Sequence, residues 1–260
     1  MKRAIAVDWS GAKSGAKSKI WLAEVREERL TCLESGRDRS DLVQHLIDAA
    51  STEPDFVVGL DFAFSFPRWF AEQRRAASIK ELWDLVAERG EAWLASCREP
   101  FWGKPGRRKP NLPEHFRRTE WEVFGATDSK PKSVFQIGGG GAVGTGSIRG
   151  MPHLAKLRAA GFSIWPFDEV RTPLVIEIYP RLFFTRSVTK SDFDERHAYL
   201  KQGFPELEGL LACKAKSSED AFDAAVSAVV MSRHLNELSD LAASRDRTER
   251  IEGRIWWPPE

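Results

Sequence analysis

The chain has 260 residues, 42% of them hydrophobic and 30% charged, which is enough to bury the core of one large domain. Thirty-nine basic against thirty-eight acidic residues leave a net charge of +1, so overall charge selects no polyanionic partner and any nucleic-acid affinity must come from local patches. Cys32, Cys97 and Cys213 are too scattered for a disulfide framework or a zinc motif, no stretch is long and apolar enough to span a membrane, and the N-terminal apolar run Ala4–Val7 is too short for a signal peptide. The expectation is a single cytoplasmic domain over residues 1–260 with no membrane partner.

The first strand, Arg3-Ala4-Ile5-Ala6-Val7-Asp8, runs into Trp9-Ser10-Gly11. Ala4, Ala6 and Asp8 share one face and Ile5, Val7 and Trp9 the other, because strand side chains alternate. Apolar residues on both faces place this strand in the middle of a covered sheet. Asp8 then lies at the rim of the sheet, as a functional carboxylate or as the opening residue of a turn. Lys19–Val25 and Glu28–Glu34 read as the next strands, with Glu27-Glu28 at the hairpin tip. Arg37–Ser51 has helical spacing at Leu42, Leu46 and Ala49, with Ser40 as its N-cap.

Asp55–Asp61 is a second buried strand that ends in aspartate. The helical crossover before it makes it parallel to the first strand. Parallel strands finish at one edge, so Asp8 and Asp61 emerge side by side, on backbones about 4.8 Å apart if the strands are neighbours.

A long insertion follows, at about 68–165. Ile79, Leu82, Trp83, Val86, Trp93 and Leu94 trace one face of a helix. The loop Pro100–Pro110 carries Lys104, Arg107, Arg108 and Lys109, with Arg117 and Arg118 close behind and Trp102 and Trp121 interleaved. This cluster reads either as a solvated loop or as a surface that tracks phosphates. Gly138–Gly146 lacks the Gly-Lys-Ser/Thr ending of a P-loop, which excludes a Walker nucleotide site. The glycines leave room for a backbone anion nest before a helix near Pro152–Ala160, with Arg149 beside it. His45 reads as an ordinary residue on the polar face of its helix, and His153, with no neighbouring ligand residue, reads as structural.

Pro173–Pro180 is a third buried strand. Its Glu177 sits between isoleucines and needs either a metal or an ion pair with Arg181 or an insertion arginine. The last long helix begins near Ser217 and contains Asp220 and Asp223. Asp220 fits a capping box with Ser217. Asp223 is too deep for that, and a carboxylate in an apolar helix calls for a functional partner. The terminal Ile255–Pro259 segment reads as aromatics laid back on the domain.

The acidic strand ends and the Asp-x-x-Asp helix entry resemble the RNase H-like superfamily, most closely its Holliday-junction-resolvase branch. More specifically, the segments Val7–Ala12, Gly59–Pro67, Lys132–Gly139, Val175–Pro180 and Asp220–Ala224 resemble domain of unknown function 429, a family of predicted nucleases. The resemblance implies an α/β fold with an RNase H-like mixed sheet in the order 3-2-1-4-5, flanked by helices, and a mostly helical insertion between strands 4 and 5. It also implies a metal-dependent nuclease whose Mg2+ or Mn2+ is held by Asp8, Asp61, Glu177 and Asp223, with Asp220 completing the catalytic set. Nucleic acid would then be gripped by Lys104, Arg107, Arg108, Lys109, Arg117, Arg118 and Arg149. The sequence departs from the resolvase pattern in having aspartate on the fourth strand and the extra acid Glu177 on the fifth. Two other readings compete: a non-catalytic nucleic-acid or protein-binding module on the same fold, and an actin-like ATPase or phosphotransferase. The actin-like plan requires a second copy of the Asp8 motif, and the chain shows no such repeat.

Overall fold

The fold is described from a computed structural model that covers residues 1–127, 131–184, 188–204, 207 and 209–259. The chain opens with β1 (Arg3–Asp8), β2 (Trp21–Arg26) and β3 (Arg29–Glu34), then α1 (Arg39–Thr52) and β4 (Phe56–Leu60). Next come α2 (Arg68–Gln73), α3 (Ile79–Ser96), α4 (Arg118–Ala126) and α5 (Gly144–Ala159), followed by β5 (Ser163–Ile164) and β6 (Leu174–Ile178). It closes with α6 (Phe193–Gly203), α7 (Gly209–Ala215), α8 (Glu219–Arg233), α9 (Leu235–Ser239), α10 (Glu249–Glu252) and β7 (Ile255–Trp256).

The seven strands form one mixed sheet in the order β3-β2-β1-β4-β6-β5, with β7 also paired to β6. This corrects the expected 3-2-1-4-5. The strand expected as the fifth is the sixth, because the two-residue β5 precedes it in the chain and sits outside it at the edge. Two residues give no periodicity to read. β1 is central: β2 pairs with it antiparallel and β4 parallel, with Val7 opposite Leu60. The β2–β3 hairpin turns at Glu27 and Glu28, both at positive φ (47° and 63°), the backbone that a two-residue turn between right-twisted strands requires.

Alternation along β1 divides the core in two. Ile5, Val7 and Trp9 pack with α1, α3, α5 and the insertion aromatics, whereas Ala4 and Ala6 face α8. That second face is built from small residues. Ala4, Ala6 and Ala23 on the sheet meet Ala221, Ala224, Ala225 and Ala228 on α8, and this helix is buried nearly all round. Gly59 extends the close approach, since a Cβ there would lie 2.6 Å from Met231 Sδ.

Several helix starts differ from expectation. α1 is capped by Asp38, not Ser40; the Asp38 carboxylate accepts from Ser40 N and Asp41 N, and Asp41 completes the box. α8 is capped by Ser218 through Ala221 N, which leaves Ser217 outside and Asp220 without the capping-box role. α5 begins at Gly144 and runs through Pro152, where a start near Pro152 was expected. Pro152 lies inside the helix and forgoes its hydrogen bond there, and the glycines ahead of it serve close packing: a Cβ on Gly144 would sit 2.1 Å from Val134 O. The terminal segment does fold back, with β7 on β6 and Trp256 buried. Among the described residues no helix is long and apolar enough to cross a membrane.

Candidate active site

Asp8 ends β1 and Asp61 follows β4, with Asp61 N bonded to Val7 O at 3.1 Å, so both carboxylates leave the same edge of the sheet. By alternation Asp8 continues the Ala4–Ala6 face, and Asp61 continues the face of Val57 and Gly59. Both faces are the one covered by α8. There both feel the charge of Asp223, in the second turn of a helix held close to the sheet by its alanines. Asp223 is only 6% exposed.

These carboxylates feel one another. Burial, then Asp61, Asp223 and Asp220, push Asp8 well above the ordinary carboxylate range. Burial, then Asp223, raises Asp61 to about 8. Burial also raises Asp223 to about 6, against the lowering effect of Lys190. Asp220, one turn earlier and half-buried, is raised by burial and by its neighbour Glu219.

Glu177 also raises Asp61 through its charge, but its own carboxylate is bonded elsewhere. It lies in register with Leu60 on β6, and alternation turns it to the opposite face of the sheet from Asp61. Its carboxylate accepts both terminal nitrogens of Arg117, one at 2.8 Å, and also Phe64 N at 2.9 Å. The ion pair with an insertion arginine is therefore what the structure contains. Arg117 is 1% exposed and also binds Glu120 and the Glu252 carbonyl, so its expected role on a phosphate-binding surface is corrected: the side chain is interior. Burial raises Glu120 to about 7, against Arg117, which favours its ionised form. Glu252, which the sequence reading passed over, accepts Arg68 N and Arg118 N, both at 2.7 Å, and so ties the first turns of α2 and α4 to the C-terminal segment.

The remaining expected phosphate contacts divide. Arg107, Arg108 and Lys109 are exposed, and Lys109 lies 5.8 Å from the Trp102 ring and 5.9 Å from the Phe116 ring. Lys104 donates instead to the Leu94 carbonyl. Arg118 is engaged by Asp246 and Glu249, each at 2.9 Å. Arg149 binds Glu91 at 2.6 Å and the Gly11 carbonyl, which fixes the chain just after Asp8. The basic loop is joined to the glycine-rich segment through Trp102, whose N donates to Phe135 O and whose O accepts from Ile137 N.

The glycine-rich segment in turn forms a wall of a cleft of about 570 Å³, where Gly141, Ala142, Val143 and Gly146 face Asp61, Asp220, Glu177, Lys19 and Lys132. The position expected for an anion nest thus borders the carboxylates. Its Gly144 N is already bonded to Gln136 O at 3.0 Å.

One functional candidate escaped sequence reading. Lys190 Nζ hydrogen-bonds Asp223 Oδ2. It is a lone lysine in a polar loop, and no motif marks it. Among the described residues, Asp223 Oδ1 remains buried with no partner. Among the described residues no group of three or more His, Cys, Asp or Glu side chains is arranged to hold a metal ion as it stands. The donor chemistry nevertheless suits a hard divalent cation: Asp8, Asp61 and Asp223 offer oxygen alone, and one buried oxygen lacks any partner. No family model, no curated protein and no solved structure matches the chain.

Proposed function

We propose that the protein is a metal-dependent phosphodiesterase acting on nucleic acid, built on an RNase H-like plan. The observation that carries this reading is the convergence of Asp8, Asp61 and Asp223 under α8, with Asp223 Oδ1 buried and unpartnered. Such a cluster is costly without positive charge, and among the described residues the Lys190 ammonium is bonded to it. The antiparallel opening hairpin, the central β1 and the parallel β4 also follow the RNase H-like order.

In this reading Asp8, Asp61 and Asp223 would hold Mg2+ or Mn2+, and Asp220, which lines the cleft, would orient a water. A bound divalent ion supplies charge for a phosphodiester's developing oxyanion and lowers the pKa of a coordinated water. Glu177 acts through position, since its bonds to Phe64 N and Arg117 fix the loop that follows Asp61. The exposed Arg107, Arg108 and Lys109 would offer cations to the nucleic-acid backbone.

The test is hydrolysis of end-labelled single- and double-stranded DNA and RNA with Mg2+ or Mn2+, comparing wild type with Asp61→Asn. Metal-dependent cleavage lost in the variant supports the reading. No cleavage of any of these substrates, with no metal bound, would leave a non-catalytic binding module.

A further inference from the structure

Lys190 is held where it is by more than its own ion pair. The buried Arg196 donates to the Lys190 carbonyl and, at 3.0 Å, to the Lys216 carbonyl. Asp192 N bonds Thr189 O at 2.8 Å, and Asp192 in turn caps α6. The backbone is thus fixed, while the side chain is 26% exposed and its Nζ lies 5.7 Å from the Phe184 ring. Backbone hydrogen bonds thus hold the base of a long side chain whose ammonium reaches Asp223.

The charge count shows what that ammonium does. It meets one oxygen of Asp223, leaves the other buried and unpartnered, and stands against Asp8, Asp61 and Asp223 together. A purely structural pair would satisfy its carboxylate, and this one does not. Lysine also suits an exchangeable role, because its charge is a compact point on a flexible stem, without the fixed fork of arginine.

We infer that Lys190 occupies the divalent-cation position as a tethered ammonium, that metal entry displaces it from Asp223, and that the released ammonium then contacts the phosphate of the bound nucleic acid. This rests on the metal-dependent reading above. Lys190 thus opposes metal binding and favours substrate binding, two effects of opposite sign on one side chain. A role confined to folding would not produce that pair of effects.

The experiment uses the full chain with Lys190→Gln and Lys190→Met, and melting curves in EDTA establish that each variant is folded. Mn2+ is titrated at fixed pH and followed by the electron paramagnetic resonance of the free ion. Both variants should bind Mn2+ about tenfold more tightly than wild type, the worth of one charge-assisted hydrogen bond no longer given up. A fluorescent single-stranded oligonucleotide is then titrated with saturating Ca2+, another oxygen-seeking cation. Both variants should bind it several-fold more weakly than wild type. Equal or weaker Mn2+ binding by the variants overturns the displacement, and unchanged oligonucleotide binding overturns the phosphate contact. Absence of Mn2+ binding by wild type and variants alike brings down the metal reading itself and this inference with it, and the wild-type titration alone reveals that outcome.

Discussion

Asp223→Asn is the most informative single change, because it keeps the shape of the side chain and removes its charge. Asp223 is lifted from 3.8 to about 6 by burial, even with Lys190 bonded to it. A folded-state value above the unfolded one means that the native protein holds this proton more tightly. Stability is therefore full below about pH 4 and declines as pH rises through about 6. Asp61, lifted to about 8, carries the same decline further up. At roughly 1.4 kcal/mol per unit, keeping Asp223 ionised at pH 8 costs up to about 3 kcal/mol. Readjustment of Lys190 and the neighbouring carboxylates leaves a realised gain for the asparagine of about 1–3 kcal/mol. With an unfolding entropy of about 2.1 cal/mol/K per residue, that gain raises Tm by about 2–5 °C. Thermal melts in EDTA should thus show wild type and variant nearly equal at pH 4, with the variant ahead at pH 8. Millimolar Mn2+ should raise the Tm of wild type and reduce or abolish its effect on the variant. A variant less stable than wild type at pH 8 in EDTA would refute the reasoning, and Asp223 would then be a structural acid whose natural partner is Lys190.

Glu177→Gln should behave in the opposite way. It leaves the interior Arg117 with Glu120 as its remaining carboxylate, and breaking a buried pair from one side costs about 3–5 kcal/mol. Chemical denaturation should show that loss together with an Mn2+ stabilisation like that of wild type; an unchanged midpoint would mean that the Arg117 pair contributes little. Replacing Arg107, Arg108 and Lys109 with alanine should flatten the dependence of log K on log salt for duplex DNA by about 0.9 for each phosphate contact removed. An unchanged slope in that measurement would make the loop a solvated one. Gly11→Ala should destabilise the protein, because its Cβ would lie 2.4 Å from Gly146 N; a wild-type melting curve would show that the β1 exit and α5 can separate without cost.

Much of this architecture was legible because it follows from periodicity. The all-apolar runs of β1, β4 and β6 identified buried strands, and the helical crossover fixed β1 and β4 as parallel, which set Asp8 beside Asp61. The apolar sequence of α8 marked a helix that buries its side chains, Asp223 among them. The sequence left Glu177 open between a metal and an ion pair with an arginine; the register of Leu60 with Glu177, which local pattern does not supply, turns it to the insertion while Asp61 faces α8. Its partner lay 60 residues away, and a contact of that separation leaves no trace in local pattern. Arg117 looked like a member of a basic cluster because sequence proximity to Arg107 and Arg108 says nothing about which side chains turn inward. Lys190 and Glu252 were invisible for the same reason, since each acts through tertiary contacts from an unpatterned segment. The two-residue strands β5 and β7 are too short for any period to register.

The central claim is that Asp8, Asp61 and Asp223 form a divalent-cation site. Its most direct test is anomalous difference density from crystals of the full chain soaked in millimolar Mn2+. The account predicts a peak bounded by these three carboxylates, with the Lys190 side chain moved off Asp223. A map with no peak there, and Lys190 still bonded to Asp223, would contradict it.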